Sequence, residues 1–181
     1  MIMAQSLFRL LRDRDPQRAI DVVAPRWSLP VLQRMPEVRR GIARDGSHGE
    51  CGWAKRRALG RELRARQYDE AIVLPRSAKA ALVPWFAGIR KRTGFKGELR
   101  YGLLNDIRPF NRSILDQTVK RFVALGLDAG EALPAELPRP LLTSNQVAQQ
   151  DIRRKLGLGK NKPLIALQPG AEYGTAKCWP Q

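Results

Sequence analysis

The residues best suited to chemistry stand in "ALQPGAEYGTAKCWP", positions 166–180. Gly170 and Gly174 carry no Cβ, so the backbone there can turn sharply and come close to a ligand. Amide N–H groups in such a turn point outward and suit phosphate oxygens. Lys177 adds a mobile point charge of the kind that meets a diphosphate. The pattern is neither the P-loop nor the dinucleotide fingerprint. An ordinary strand-to-helix turn is the other reading, and these residues alone leave both open.

A second set is basic. In "KRRALGRELRARQ", Arg57, Arg61 and Arg64 recur at i, i+4 and i+7, on one face of a helix whose Leu59 and Leu63 point inward. Planar guanidinium groups at that spacing can grip sugar phosphates in pairs of hydrogen bonds. The same row is equally a solvated face whose stems cover the leucines. Lys79, Arg92 and Arg100 are further candidates on the same logic. His48, the single histidine, reads as a solvent-facing or structural loop residue. Cys51, three residues on, lacks the further ligands a metal needs, and Asp106 reads as a turn residue rather than a base. Trp85 and Phe86 read as core; Trp27, Trp53 and Trp179 are too scattered for a base-stacking platform.

Charge sharpens the basic reading. The 181 residues hold 33 Lys and Arg against 17 Asp and Glu, for a net +16. Positions 1–101 carry 22 of the basic and 10 of the acidic residues, hence +12 of that excess. An anionic partner is the natural implication: nucleic acid, a phosphorylated glycolipid or an acidic membrane surface. An Arg-rich coding bias that only solvates the surface is the alternative. No helix-turn-helix, zinc-finger or RNA-binding signature accompanies the charge, so a nucleic-acid module rests on charge alone. An apolar fraction of 43 % is enough for a packed core. No run approaches the length of a membrane span, and the opening "MIMAQSLFRLLRDRD" is no signal peptide. Two isolated thiols, Cys51 and Cys178, suit a reducing, cytoplasmic compartment.

The elements that must position these groups alternate. Leu7, Leu10 and Leu11 mark a first helix ended by Asp15-Pro16; "RAIDVVAP" is a strand, "SLPVLQRMPEV" a short helix or turn, and "RRGIAR" a short strand. After the basic helix, "YDEAIVLP" is the clearest strand, and "SAKAALVPWFAG" a helix with Ser77 as N-cap and Gly88 as stop. "KRTGF" is a strand, "RYGLLNDIRPFNR" a loop and "SILDQTVKRFVALGL" a helix. The proline-rich segment 128–145 reads as a linker, before one helix, "QVAQQDIRRKLGL", and one strand, "KPLIALQ". Strand and helix in alternation predict an α/β, Rossmann-like parallel sheet with helices on both faces. The expected domains are 1–127, the linker, and 146–181 as the start of a second domain. Doubly wound folds open on a strand, and this chain opens on a helix, so the first strand is expected to be missing.

"PGAEYGTAKCWP" resembles the terminal signature of the ADP-heptose–lipopolysaccharide heptosyltransferase II family. "AQSLFRLLRDRDPQRAIDVVAPRWSLPVLQRMPEV" and "RRALGRELRARQYDEAIVLPRSAKAALVPWFAGIRKRTGFKGELRYGLLNDIR" are similar to its first helix and second strand and to its central motif, so the resemblance covers nearly the whole chain. It implies a GT-B-type glycosyltransferase with two Rossmann-like domains and the active site between them. It implies heptose transfer from ADP-heptose to a phosphorylated lipopolysaccharide inner core, with inversion, without metal or other cofactor, and with no nucleic acid as partner. The anionic acceptor it implies favours Arg57, Arg61 and Arg64, with Lys79, Arg92 and Arg100 after them, as acceptor contacts, and it implies a donor-diphosphate contact from Lys177, beside the phosphate turn that Gly170 and Gly174 suggest. The family's base, in a Gly-Asp pair, falls before Met1, so no catalytic residue is expected within the chain and the chain alone is expected to be inactive. Thr175 stands for a family Pro, Cys178 for an Arg and Arg76 for an Asn. The expected place is cytoplasmic, peripheral at the inner face of the inner membrane. The alternatives are a basic nucleic-acid-binding module or a non-functional truncated product.

Overall fold

A computed structural model describes residues 1–44, 52–159 and 164–167. The chain divides into two compact units, Met1–Thr143 and Ser144–Gln181. In the first, helix α1 (Gln5–Arg14) leads to strand β1 (Ile20–Pro25), the short helix α2 (Leu29–Leu32) and strand β2 (Val38–Arg44). Helix α3 (Trp53–Arg64), strand β3 (Glu70–Val73), helix α4 (Ala78–Phe86) and strand β4 (Lys91–Phe95) follow. Strand β5 (Asp106–Arg108) and helix α5 (Thr118–Ala124) close the regular structure of this unit. The second unit holds helix α6 (Gln146–Lys155), whose Asn145 side chain accepts the Ala148 amide as an N-cap.

Every strand pairing among the described residues is parallel. β1 pairs with β2, and β3, β4 and β5 form a separate triple in that order. β1 and β3 are not hydrogen-bonded to each other, so the pair and the triple remain two sheets. Helices cover both sides, as the alternation of elements requires. α1 seats Leu7, Phe8 and Leu11 with Ile20, Ala24, Leu32 and Met35 in one apolar cluster. α3 and α4 bring Leu63, Val83 and Ala87 to Ile42 and Ile89 in another. Complete burial of one such side chain is worth about 1.5–3 kcal/mol, so clusters of this kind hold the helices to the sheets. The i, i+3, i+4 leucines of α1 also reach α5, where Leu10 meets Val123 and Leu127.

Four local expectations change. "RYGLLNDIRPFNR" contains β5, too short to show alternation, in which Thr93, Gly94 and Phe95 pair with Asp106, Ile107 and Arg108. The helix expected from Ser113 begins at Thr118, because Asn111 Oδ1 accepts both the Ser113 amide and hydroxyl and holds a turn there. Ser77 sits at the N-cap of α4, but its side chain makes no cap; Glu98 Oε2 takes the Ala78 amide instead, at 2.8 Å. The described residues 164–167 of "KPLIALQ" are not in a strand.

The proline-rich stretch runs along the first unit as a strap. Arg14 pairs with Glu131, Leu133 and Leu137 pack on the α1–α5 cluster, Gln5 exchanges hydrogen bonds with Leu141, and the Thr143 amide reaches Arg34 O at 2.8 Å.

Candidate functional site

In a parallel sheet all strands end at one edge, and doubly wound folds bind ligands in the loops beyond it. In the β3–β4–β5 triple that edge is basic. Arg76 follows β3, Lys79 lies in the first turn of α4, Lys96 follows β4, and Arg112 lies beyond β5. Among the described residues none of these four makes an ion pair. The fifth cation, Arg108, is neutralised: its guanidinium lies 2.6 Å from Asp106 Oδ1.

Arg100 builds this edge rather than facing it. It is only 2 % exposed and donates to Pro75 O at 2.7 Å and to Phe95 O, tying the loop after β3 to the end of β4. Burial, and then the charge of Arg76, lower its pKa below the ordinary guanidinium value. Arginine nevertheless stays protonated in proteins, so a buried positive charge sits beneath the loops. Above it, Phe110 is flanked by two more: the Arg76 guanidinium carbon lies 4.3 Å from the ring centroid and that of Arg121 lies 5.4 Å away. Phe110 itself packs edge-on against Phe95 at 5.3 Å. Positive charge thus gathers around one aromatic ring, with Glu98 committed to capping α4. Such a surface is prepared for an anion.

Asp106 serves no base function here. It accepts Thr93 Oγ1 at 3.0 Å as well as both Arg108 donors, and these bonds, the Arg108 bond first, hold its carboxyl below the ordinary range. A carboxylate so satisfied is a poor proton acceptor. It bonds across strands and is not the turn residue that its neighbours suggest.

Of the sequence candidates, Lys79 stands at the basic edge. Arg92 and Arg100 instead bond within the fold. Arg92, the second residue of β4, lies toward the opposite edge and donates to Ile89 O at 2.5 Å, Leu103 O at 2.7 Å and Gly102 O at 3.3 Å. Both arginines bond backbone carbonyls, and burial beneath the loops keeps Arg100 from the surface. Arg57, Arg61 and Arg64 are exposed and have no ion pair among the described residues, as a ligand-gripping face requires, and Arg64, the last of them, lies away from the basic edge. α4 runs from the carboxyl edge of β3 to the amino edge of β4, and Arg64 Nε approaches Gly88, at its far end. Gly170, Gly174 and Lys177, with His48, Cys51 and Cys178, lie outside the described residues. Sequence reasoning overlooked Lys96, Arg112 and Phe110, and took Arg76 only as a departure. The available signal was a basic residue just past each strand of a parallel sheet.

Comparison with known proteins fits this geometry. The model of "Glycosyltransferase family 9 (heptosyltransferase)" matches residues 56–181. Lipopolysaccharide heptosyltransferase 2 of Escherichia coli (strain K12) is 47 % identical over 185 residues, covering 99 % of this chain and 53 % of that protein. Lipooligosaccharide heptosyltransferase 2 of Haemophilus ducreyi is 43 % identical over 187 residues, with 99 % and 53 % covered. The structure of E. coli ADP-heptose lps heptosyltransferase II superposes with a TM-score of 0.89 at 44 % identity, over 99 % of this chain and 54 % of that one. A family 9 glycosyl transferase from Veillonella parvula shares the fold, with a TM-score of 0.79 at 18 % identity, over 99 % and 52 %. The chain spans about half the length of the relatives it matches. On a family match over more than half its residues, the chain belongs to glycosyltransferase family 9, the heptosyltransferases.

Proposed function

We propose that this chain supplies the acceptor side of an enzyme that moves heptose from ADP-heptose onto the phosphorylated inner core of lipopolysaccharide. What supports the acceptor role is the row of cations without an ion pair among the described residues, Arg76, Lys79, Lys96 and Arg112, along the carboxyl edge of the triple sheet. Phosphates of the acceptor pair with these cations, which fixes the attacking hydroxyl in place. A carboxylate base takes the proton of that hydroxyl as its oxygen attacks the anomeric carbon. The bond to ADP breaks on the opposite face, with inversion. Lys177 and the amides of Gly170 and Gly174 meet the charge that grows on the departing diphosphate. With that charge met by the chain's own groups, the reaction as proposed calls for no metal. The reading locates the enzyme in the cytoplasm, peripheral on the inner membrane.

A chimera tests it, with residues 1–181 replacing the matching half of the E. coli relative. Heptose transfer is expected, undiminished by EDTA. Arg76→Ala with Lys79→Ala should raise the acceptor KM at least tenfold, the effect of losing one charge-assisted hydrogen bond of about 1.5–3 kcal/mol, and leave the ADP-heptose KM in place. A chimera that folds without transferring heptose overturns the function; an unchanged acceptor KM at low salt overturns the site.

A further inference from the structure

The flank where α3 meets α4 combines two features that the acceptor site does not use. Trp53 is 56 % exposed and Trp85 44 % exposed, yet they are joined through Phe86, with ring centroids 5.9 Å apart on one side and 5.0 Å on the other. Gly60 allows this, because a Cβ there would strike Phe86 and come within 3.0 Å of Val83 O. The buried positions of α3 are Arg56, Gly60 and Leu63. At 100° per residue, Trp53, Arg57, Arg61 and Arg64 fall within one adjoining quadrant, on the side of Gly60 that faces α4. The result is a continuous aromatic strip bordered by three arginines that have no ion pair among the described residues.

We propose that this flank docks on an anionic phospholipid surface, with Trp53 and Trp85 seated at headgroup level and Arg57, Arg61 and Arg64 paired with lipid phosphates. Indole rings, apolar in body and polar at one edge, favour that interface, and arginines beside them take up the negative surface potential. The complementarity extends beyond the flank, because +12 of the net +16 lies in residues 1–101. Nucleic acid fits less well: the rings pack edge to face against one another, at 75° and 66°, and leave no stacked platform for bases. Arg76 and Lys79, at the other end of α4, lie outside the flank, so lipid docking and acceptor binding separate by mutation.

The test is flotation of the 181-residue chain with vesicles of phosphatidylethanolamine and phosphatidylglycerol, against vesicles of phosphatidylcholine alone, in low salt and without acceptor or donor. Binding to the anionic vesicles only is expected, with a blue shift of tryptophan emission. Replacing Arg57, Arg61 and Arg64 by Ala should weaken partitioning roughly fivefold per arginine. Trp53→Ser with Trp85→Ser should abolish the blue shift, while the circular dichroism of both variants stays that of the parent. Equal binding by parent and variants, or retention by a DNA duplex but not by anionic vesicles, overturns the proposal. Because neither substrate is present, these results stand apart from the transferase reading.

Discussion

Among the described residues, exposure and partner decide what a basic side chain does. Arg100 and Arg92 bond backbone carbonyls, Arg108 pairs with Asp106, and Arg76 and Lys79 make no ion pair among the described residues. Sequence spacing made Arg57, Arg61 and Arg64 legible as one face, but held nothing about Arg100, whose role depends on Pro75 and Phe95 meeting in space. Arg100→Met should therefore destabilise the fold by about 2–3 kcal/mol, the worth of hydrogen bonds from a charged donor whose carbonyls are then stranded. A urea midpoint equal to the parent's would show that the two carbonyls find other donors. The carboxylates give a second check. At Asp21, burial opposes ionisation, but hydrogen bonds from Arg39 and Tyr68, the latter at 2.6 Å, outweigh it, so the carboxyl lies below its ordinary value, as does Asp106. A depressed carboxyl stabilises the fold above the unfolded pKa, about 3.9, and that stability is lost as pH falls through the lower folded value. The urea midpoint should thus hold from about pH 7 to 5 and drop below about pH 4, less steeply in Asp106→Asn. An identical acid limb in that variant would count against the Arg108 pairing as its source.

At the scale of elements, periodicity located α1, α3, α4 and α6, because each is long enough, at two turns or more, to display a helical period. β5 escaped because three residues cannot display a period, and the start of α5 was obscured by the turn at Asn111. Ser77 occupies the N-cap position that its place in the sequence implies, yet the α4 amide is taken by Glu98, 20 residues distant from Ala78. Which side chain caps is therefore a tertiary outcome that local sequence does not hold. Gly88 does end α4 as the sequence suggests, with a φ of +69° that an L side chain seldom adopts. The meeting of α3 and α4 is the element contact most sensitive to one atom. Gly60→Val should separate the two helices, since the branched side chain meets Phe86 and the Val83 carbonyl, both set in α4. Overpacking of this kind costs about 1–3 kcal/mol and should expose Phe86, which near-ultraviolet circular dichroism would register. An unchanged spectrum and midpoint would mean that α4 shifts freely.

For the molecule as a whole, the alternating order announced a parallel α/β fold, but could not reveal that the strands divide two and three. That division has a physical consequence. Parallel strands are ordinarily buried on both faces and paired on both sides, whereas β1 and β3 each have hydrogen-bonding partners on one side only among the described residues. Unpaired donors and acceptors on an apolar strand invite another chain. Val23, on β1, is already 38 % exposed while its paired neighbour Ile42 is buried. The 181-residue chain should accordingly associate as its concentration rises, and amide exchange should be slowest in β4, which is paired on both sides, and faster in β1 and β3. Val23→Lys places a charge beside the open edge of β1, a device natural sheets use against edge-to-edge pairing. It should lower the sedimentation-average mass at a given concentration and leave the far-ultraviolet spectrum unaltered. If the chain sediments as a monomer at every concentration, or if β1 exchanges as slowly as β4, the open edge of β1 is covered by the rest of the chain.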